Sequence, residues 1–371
     1  TLFRSILVNN AGIFLRGNLV APDGHERWER TMEVNVQGPF NVTMAFIEQL
    51  KHTKGCIVNV ASTNSFVAPA GRALLQLMAV PFREESFGMM ALIGVGNGAQ
   101  VALAYAGSHP DKVARLVLDS PVPPGVNAET LAEEQVKGQQ MALDAFAAQC
   151  IAVNCALGPD PKGAVDGLLA AARGGRGPGG MSVAVLANAI VTALGFPSGD
   201  RIGSTVSLAN ALAAARGGDT NQLNSLVTRA ESMRDSDGQF VNTCSDSLNR
   251  PTPDRVRELV VAWGKLYPQF GTVAALNLVK CLNWPSGTAP QDPKNLKVGV
   301  LLMGVQNDPI AGNEGVAATA ATVINAGAAS KRVIWQGIGH GASIYSTCAL
   351  APLIAYVDSG KTPETDTYCP A

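Results

Sequence analysis

Residues 94–98 read Gly-Val-Gly-Asn-Gly, between the apolar run 89–93 and the helix-forming stretch 99–107. A chain that passes from strand to helix through so short a turn must bring the two backbones very close. It also holds the middle residue in a conformation that residues with a Cβ avoid. Val113-Ala114-Arg115-Leu116-Val117-Leu118-Asp119 follows as a second apolar strand. Strand, tight turn, helix, strand is the unit of a parallel sheet covered by helices, which predicts an α/β fold.

Two chemistries can use such a turn. Gly94-x-Gly96-x-x-Ala99, with Asp119 closing the next strand, satisfies the G-x-G-x-x-G/A pattern that places a pyrophosphate on a helix N-terminus and an acid on a ribose. Alternatively the residue between Gly94 and Gly98 is the apex of a nucleophile elbow, where an attacking Ser would stand; here that residue is Gly96, which has no side-chain atom to attack a carbonyl. Downstream residues favour the second reading. Val298–Met303 reads as a buried strand ending at Asn307-Asp308-Pro309-Ile310, and Val333-Ile334-Trp335-Gln336 as the last strand, ending at Gly339-His340-Gly341. The order nucleophile position, Asp, His is that of α/β-hydrolases.

These residues, with His109-Pro110-Asp111-Lys112-Val113, Leu116 to Pro121, Cys348 opening the last helix and Gly360 through Cys369, resemble secreted bacterial tripeptidyl-aminopeptidase-like hydrolases. The resemblance covers roughly residues 88–371. It implies cleavage of short peptides or esters outside the cytoplasm, with His340 as general base, Asp308 orienting it and the Asn97 backbone N–H as one oxyanion donor. With Gly96 at the elbow, the expectation is a weakly active or inactive relative. Structural roles are the bland alternative: a turn cap for Asp308 and a core histidine for His340. Ser86, Ser108, Ser120 and Ser343 are expected to be structural.

The first 72 residues carry a different pattern. Ile6-Leu7-Val8 leads into Asn9-Asn10-Ala11-Gly12, and Trp28, Met32, Val36, Phe40 and Met44 recur every four residues as a helical stripe. Glu33-Val34-Asn35-Val36 and Ile57-Val58-Asn59-Val60-Ala61-Ser62 complete a set that resembles the short-chain dehydrogenase/reductase family. The resemblance implies that Asn9, Asn10, Ala11 and Gly12 lie beside the adenine-ribose half of a nicotinamide cofactor, NAD or NADP. It further implies that Asn35 supports a proton-relay water and that Ser62 bonds the substrate oxygen. The Tyr and Lys this family uses to carry the proton are replaced by Leu75 and Ala79, and no Gly-rich phosphate turn precedes Ile6. The expectation is therefore a vestigial site and no cofactor. The alternative is an NAD(P)-binding, short-chain dehydrogenase-like oxidoreductase.

The net charge of −1 gives no electrostatic attraction for nucleic acid, and 5% aromatics leave few stacking platforms. No stretch reads as a membrane span, and the opening residues are no signal peptide. Cysteine use is lopsided. Cys56 stands alone, whereas Cys150, Cys155, Cys244, Cys281, Cys348 and Cys369 all lie beyond residue 149. An even set suggests disulfides and an oxidising compartment, secreted or cell-envelope. Proximity along the chain favours Cys150–Cys155, Cys244–Cys281 and Cys348–Cys369, against a rival scatter of buried thiols. No Cys-x-x-Cys occurs and the four His are dispersed, so no metal site is expected.

The division that follows is a partial reductase-like βαβ fragment (1–72), a junction (73–87), a hydrolase-type core with a peptidase-like C-terminal region (88–125 and 291–371) and a helical cap (126–290). Joined incomplete segments imply a chimera, with the reductase strands standing in for the missing half of the sheet. The partner, if any, is a small peptide or ester. A non-catalytic small-ligand module is the remaining alternative.

Overall fold

A computed structural model describes residues 6–9, 25–26, 29–30, 33–53, 56–59, 90–123, 125–234, 240, 243–245, 249–285 and 292–371. The fold is α/β. A five-stranded parallel sheet runs in the order β3 (Met90–Val95), β4 (Val113–Asp119), β5 (Val300–Asn307), β6 (Ser330–Ile338) and β7 (Thr367–Cys369). Both faces are covered, which is why β4 and β5 read as unbroken apolar runs. Leu116, Leu118, Val300 and Leu302 face one core, while Val117, Leu301 and Met303 face the other.

Helix α2 (Asn97–Ser108) lies on β3, and α10 (Glu314–Asn325) connects β5 to β6. Behind β6 come the short α11 (Ala342–Tyr345) and then α12 (Thr347–Ser359). Tyr356 of α12 is buried. Its hydroxyl accepts the Leu116 N–H at 3.1 Å and donates to the Gly299 carbonyl, tying α12 to β4 and the start of β5.

Between β4 and β5 the chain builds a helical insertion. Its helices are α3 (Ala128–Ala152), α4 (Pro161–Arg173), α5 (Val183–Gly195), α6 (Arg201–Arg216), α7 (Asn221–Arg234), α8 (Pro253–Leu266) and α9 (Gly271–Asn277). Asn127, Asp160, Ser182, Asp200 and Thr252 each accept a backbone N–H three residues on, capping five helix starts. The insertion has its own core around Phe146, Leu169, Ile190, Leu212, Trp263 and Phe270. Helix α5 is apolar nearly all round, so it carried no stripe to detect in sequence.

The first segment contributes β1 (Ile6–Asn9), a π-turn at Glu33–Gln37 leading into α1 (Gly38–Thr53), and β2 (Cys56–Asn59). Strands β1 and β2 pair in parallel as a separate two-stranded sheet. β2 passes beside β3 but shares no ladder with it, so the expected completion of the larger sheet is not formed among the described residues. On the helical stripe read from sequence, Phe40 and Met44 are exposed, 39% and 52%. A four-residue spacing marks one side of a helix but does not supply a surface to cover it.

One further expectation changes. β6 is not the last strand; β7 adds to the edge beyond it. Three residues are too few to show a strand period, and β7 is held by Cys348–Cys369 and by the Arg332–Asp366 pair. All three disulfides join the partners expected from proximity. Among the described residues no helix is long and apolar enough to cross a membrane, and no group of three or more His, Cys, Asp or Glu could hold a metal ion. Replacing Cys348 and Cys369 by Ser, which opens a loop of 21 residues, is expected to lower stability by about 2–4 kcal/mol in denaturant unfolding. It should also release the β7 amides in hydrogen exchange.

Candidate active site

Parallel neighbours bring their carboxyl ends to one edge of the sheet, so the loops after β3, β4, β5 and β6 meet there. The loop after β3 is the turn at Gly96, which has φ +59° and ψ −125° and donates its N–H to the Asp119 carbonyl at 2.9 Å. This is the strained apex expected from sequence. A Cβ at Gly94 would lie 2.6 Å from the Ala99 backbone, so that glycine is required for strand and helix to meet. Gly98 differs from expectation, because a Cβ there meets nothing within 4 Å. The close approach is carried by Gly94 alone. Asn97 opens α2, and as a first helical residue it has no intrahelical acceptor for its N–H.

Asp308, at the end of β5, is 1% exposed and divides its carboxylate between two tasks. Oδ1 accepts the N–H groups of Ile310 at 2.8 Å and Ala311 at 3.0 Å, closing the turn. Oδ2 lies 3.0 Å from His340 Nδ1. The turn-cap role and the orienting role are thus filled by one side chain. His340, after β6, is 8% exposed, with Phe196 packed edge-on at 5.8 Å. Burial alone would push the imidazole pKa down, but the Asp308 charge and hydrogen bond, with Asp119 behind them, hold it above its ordinary value of 6.5.

The decisive distance joins the two loops. A Cβ built on Gly96 would lie 2.7 Å from His340 Nε2 and 3.2 Å from Cε1. The imidazole faces the elbow apex and reaches into the room a nucleophile's side chain would use. Gly96, Asn97, Asp308 and His340 therefore converge. Asn35 sits in the π-turn before α1, Asn9 ends β1, and Asn10, Ala11, Gly12 and Ser62 lie outside the described residues.

Sequence reasoning missed what holds the histidine loop. Asp119, 0% exposed, accepts the N–H of Ala342 at 2.8 Å, the N–H of Ser343 at 2.8 Å and the Ser343 hydroxyl at 2.6 Å. Burial still pushes its carboxyl pKa up, despite these bonds. Ser120, at φ 48°, accepts the Gly341 N–H at 3.0 Å. The only available signal was a charged residue closing an apolar strand. This clamp also bears on dinucleotide binding at Gly94. The acid meant for a ribose is consumed inside the protein, and the imidazole stands at the apex beside the N-terminus meant for a pyrophosphate. The residues at this turn do not fit a nicotinamide dinucleotide. Beside the site, a cavity of about 220 Å³ opens between the insertion (Phe146, Leu194, Leu208) and the core (Trp335, Ile338, Tyr345).

Comparison with known proteins finds two separate likenesses. The family model described as TAP-like protein matches residues 267–369, a span that holds Asp308 and His340 but not Gly96. The short chain dehydrogenase model matches residues 5–74. Cyclopentanol dehydrogenase of Comamonas testosteroni is 46% identical over 68 residues, 18% of this chain and 27% of that protein. A short chain dehydrogenase of Emericella variicolor is 32% identical over 143 residues, 36% of this chain and 48% of its own length. An uncharacterized oxidoreductase of Thermotoga maritima is 48% identical over 58 residues, 15% and 23%. The chain spans between about a quarter and a half of these relatives. It is similar to an oxidoreductase family in one part and to TAP-like proteins in another, consistent with a two-part protein of α/β enzyme ancestry.

The raised His340 pKa has a signed consequence. The stabilisation from its pairing with Asp308 is complete below the unfolded-state value of 6.5 and is lost as pH rises through the folded value. The thermal unfolding midpoint should therefore fall as pH climbs above 6.5, and His340→Gln should flatten that part of the profile.

Proposed function

We propose that residues 88–125 and 291–371 are the core of a serine-hydrolase-type site, capped by 126–290, that has lost its nucleophile. The observation that carries this reading is the 2.7 Å between a Cβ at Gly96 and His340 Nε2, with Gly96 at φ +59° and ψ −125°. An orienting carboxylate, a base and an elbow apex converge as in acyl transfer, with the ring closer to the apex than a seryl side chain permits, and the attacking hydroxyl is absent. In a serine hydrolase deprived of a triad member, oxyanion hole and binding alone leave only about 10³–10⁴-fold over water. Peptides or short esters are the ligand class, and the three disulfides support a location outside the cytoplasm.

Purified protein is expected to show no turnover of aminoacyl or short-ester chromogenic substrates. Gly96→Ser should become labelled at residue 96 by a fluorophosphonate, seen as a mass increase, while losing about 1–3 kcal/mol of stability to the strained apex. The imidazole must step back for that hydroxyl to fit. Robust wild-type turnover abolished by His340→Ala would overturn the reading and point to water activated directly by the histidine.

A second reading has a specific finding behind it. Each relative named above is a dehydrogenase or oxidoreductase, and this likeness is stronger than the match to TAP-like proteins. It backs an oxidoreductase ancestry for residues 5–74, and with it binding of NAD(H) or NADP(H). The parallel pair β1 and β2 joined through α1 agrees with such a βαβ unit. Against redox turnover stand Leu75 and Ala79, where the family resemblance calls for the Tyr and Lys that carry the proton. Fluorescence titration with NADH and NADPH separates the readings: saturable micromolar binding favours this one, and none favours the hydrolase relic.

A further inference from the structure

The turn that presents Asp308 is pressed from the side of the insertion. Helix α3 meets it at Gly138, where a Cβ would overlap the Asp308 carbonyl oxygen and lie 3.1 Å from the Gly312 Cα. The return contact is as close: a Cβ on Gly312, at φ +78°, would lie 2.8 Å from the Glu134 carbonyl oxygen. Helix α5 meets the same turn at Gly195, where a Cβ would lie 2.5 Å from Ile310 Cγ1 and 3.4 Å from Pro309 Cγ. Inside the turn, Gly312 N–H donates to the Asp308 carbonyl at 3.2 Å, so displacement of that carbonyl displaces the whole turn. Two helices of the insertion thus press on the turn that holds Asp308, α3 against its backbone and α5 against the side chains of Pro309 and Ile310.

We propose that Gly138 and Gly195 are positioning residues: by letting α3 and α5 seat on residues 308–312, they fix the Asp308 carboxylate against His340. The docking of the helical insertion therefore sets the Asp308–His340 contact. A methyl group at residue 138 meets backbone, which cannot swing aside, so either the turn or the helix must shift. At residue 195 it meets Cγ1 and Cδ1 of Ile310, a side chain that Ile310→Ala removes to make room. The proposal rests on the dyad of the preceding reading, but its readout needs no turnover, so a protein found to hydrolyse esters would leave this test intact.

The test is a titration of the His340 imidazole by NMR on the full-length chain, following the ring signals and the downfield Nδ1 proton. The groups facing the ring are Asp308 and Asp119, which favour the imidazolium, Arg234, which opposes it, and the edge of Phe196. Gly138→Ala is expected to lower the titration midpoint and weaken the Nδ1 signal. Gly195→Ala should do the same, and adding Ile310→Ala to it should restore both. Gly167→Ala, in open space on α4, should change neither. If Gly138→Ala does not fold, the Gly195 and Ile310 pair decides. A folded Gly138→Ala or Gly195→Ala protein with the wild-type midpoint, or a double variant that fails to recover, overturns the proposal.

Discussion

Asp119 is a carboxylate with no water to face, and the geometry of the site follows from how it is satisfied. Its oxygens take donors from Ala342 and Ser343, two and three residues past His340. Its own carbonyl takes the N–H of Gly96. One residue at the end of β4 thus holds both the elbow and the histidine loop. An unsatisfied buried carboxylate would cost several kcal/mol, so the loops cannot leave it without replacing those bonds. The parallel sheet makes this possible by ending β3, β4, β5 and β6 at a common edge.

Around that anchor Gly96, Asp308 and His340 are brought together. His340 is buried and oriented, Asp308 closes its turn with Oδ1 and holds the ring chiefly with Oδ2, and the apex has a strained backbone. Glycine adopts that conformation without the steric cost a Cβ would bring. The imidazole then leans into the free space. The orientation of the ring depends on buried hydrogen bonds and packing, none of which involves a side chain at residue 96.

Much of the fold was legible from the chain. Apolar runs at residues 113–119 and 298–303 named two central strands, and the turn glycines placed the elbow between strand and helix. Residues 126–290 were legible as a helical insertion. Asp308 and His340 were found from their place at strand ends beside proline and glycine. What stayed hidden has physical causes. Helix α5 lacks a polar face, β7 is only three residues long, and Asp119 sits in a run whose meaning depends on partners more than 220 residues away. The stripe on α1 is the converse case, since periodicity located an apolar side and the fold left Phe40 and Met44 exposed.

The sequence by itself determined the class of fold, the glycine at residue 96 and the two unrelated likenesses along the chain, and it favoured the cysteine pairing that forms. These are local properties: apolar period, turn chemistry, proximity and residue identity. Only the tertiary structure decided that the elbow faces the histidine and that Asp119 is a clamp rather than a ribose acid. It alone showed that the reductase-type strands pair with each other rather than complete the larger sheet. Those outcomes depend on which distant backbone groups satisfy one another once water is excluded, and no window of sequence contains both partners.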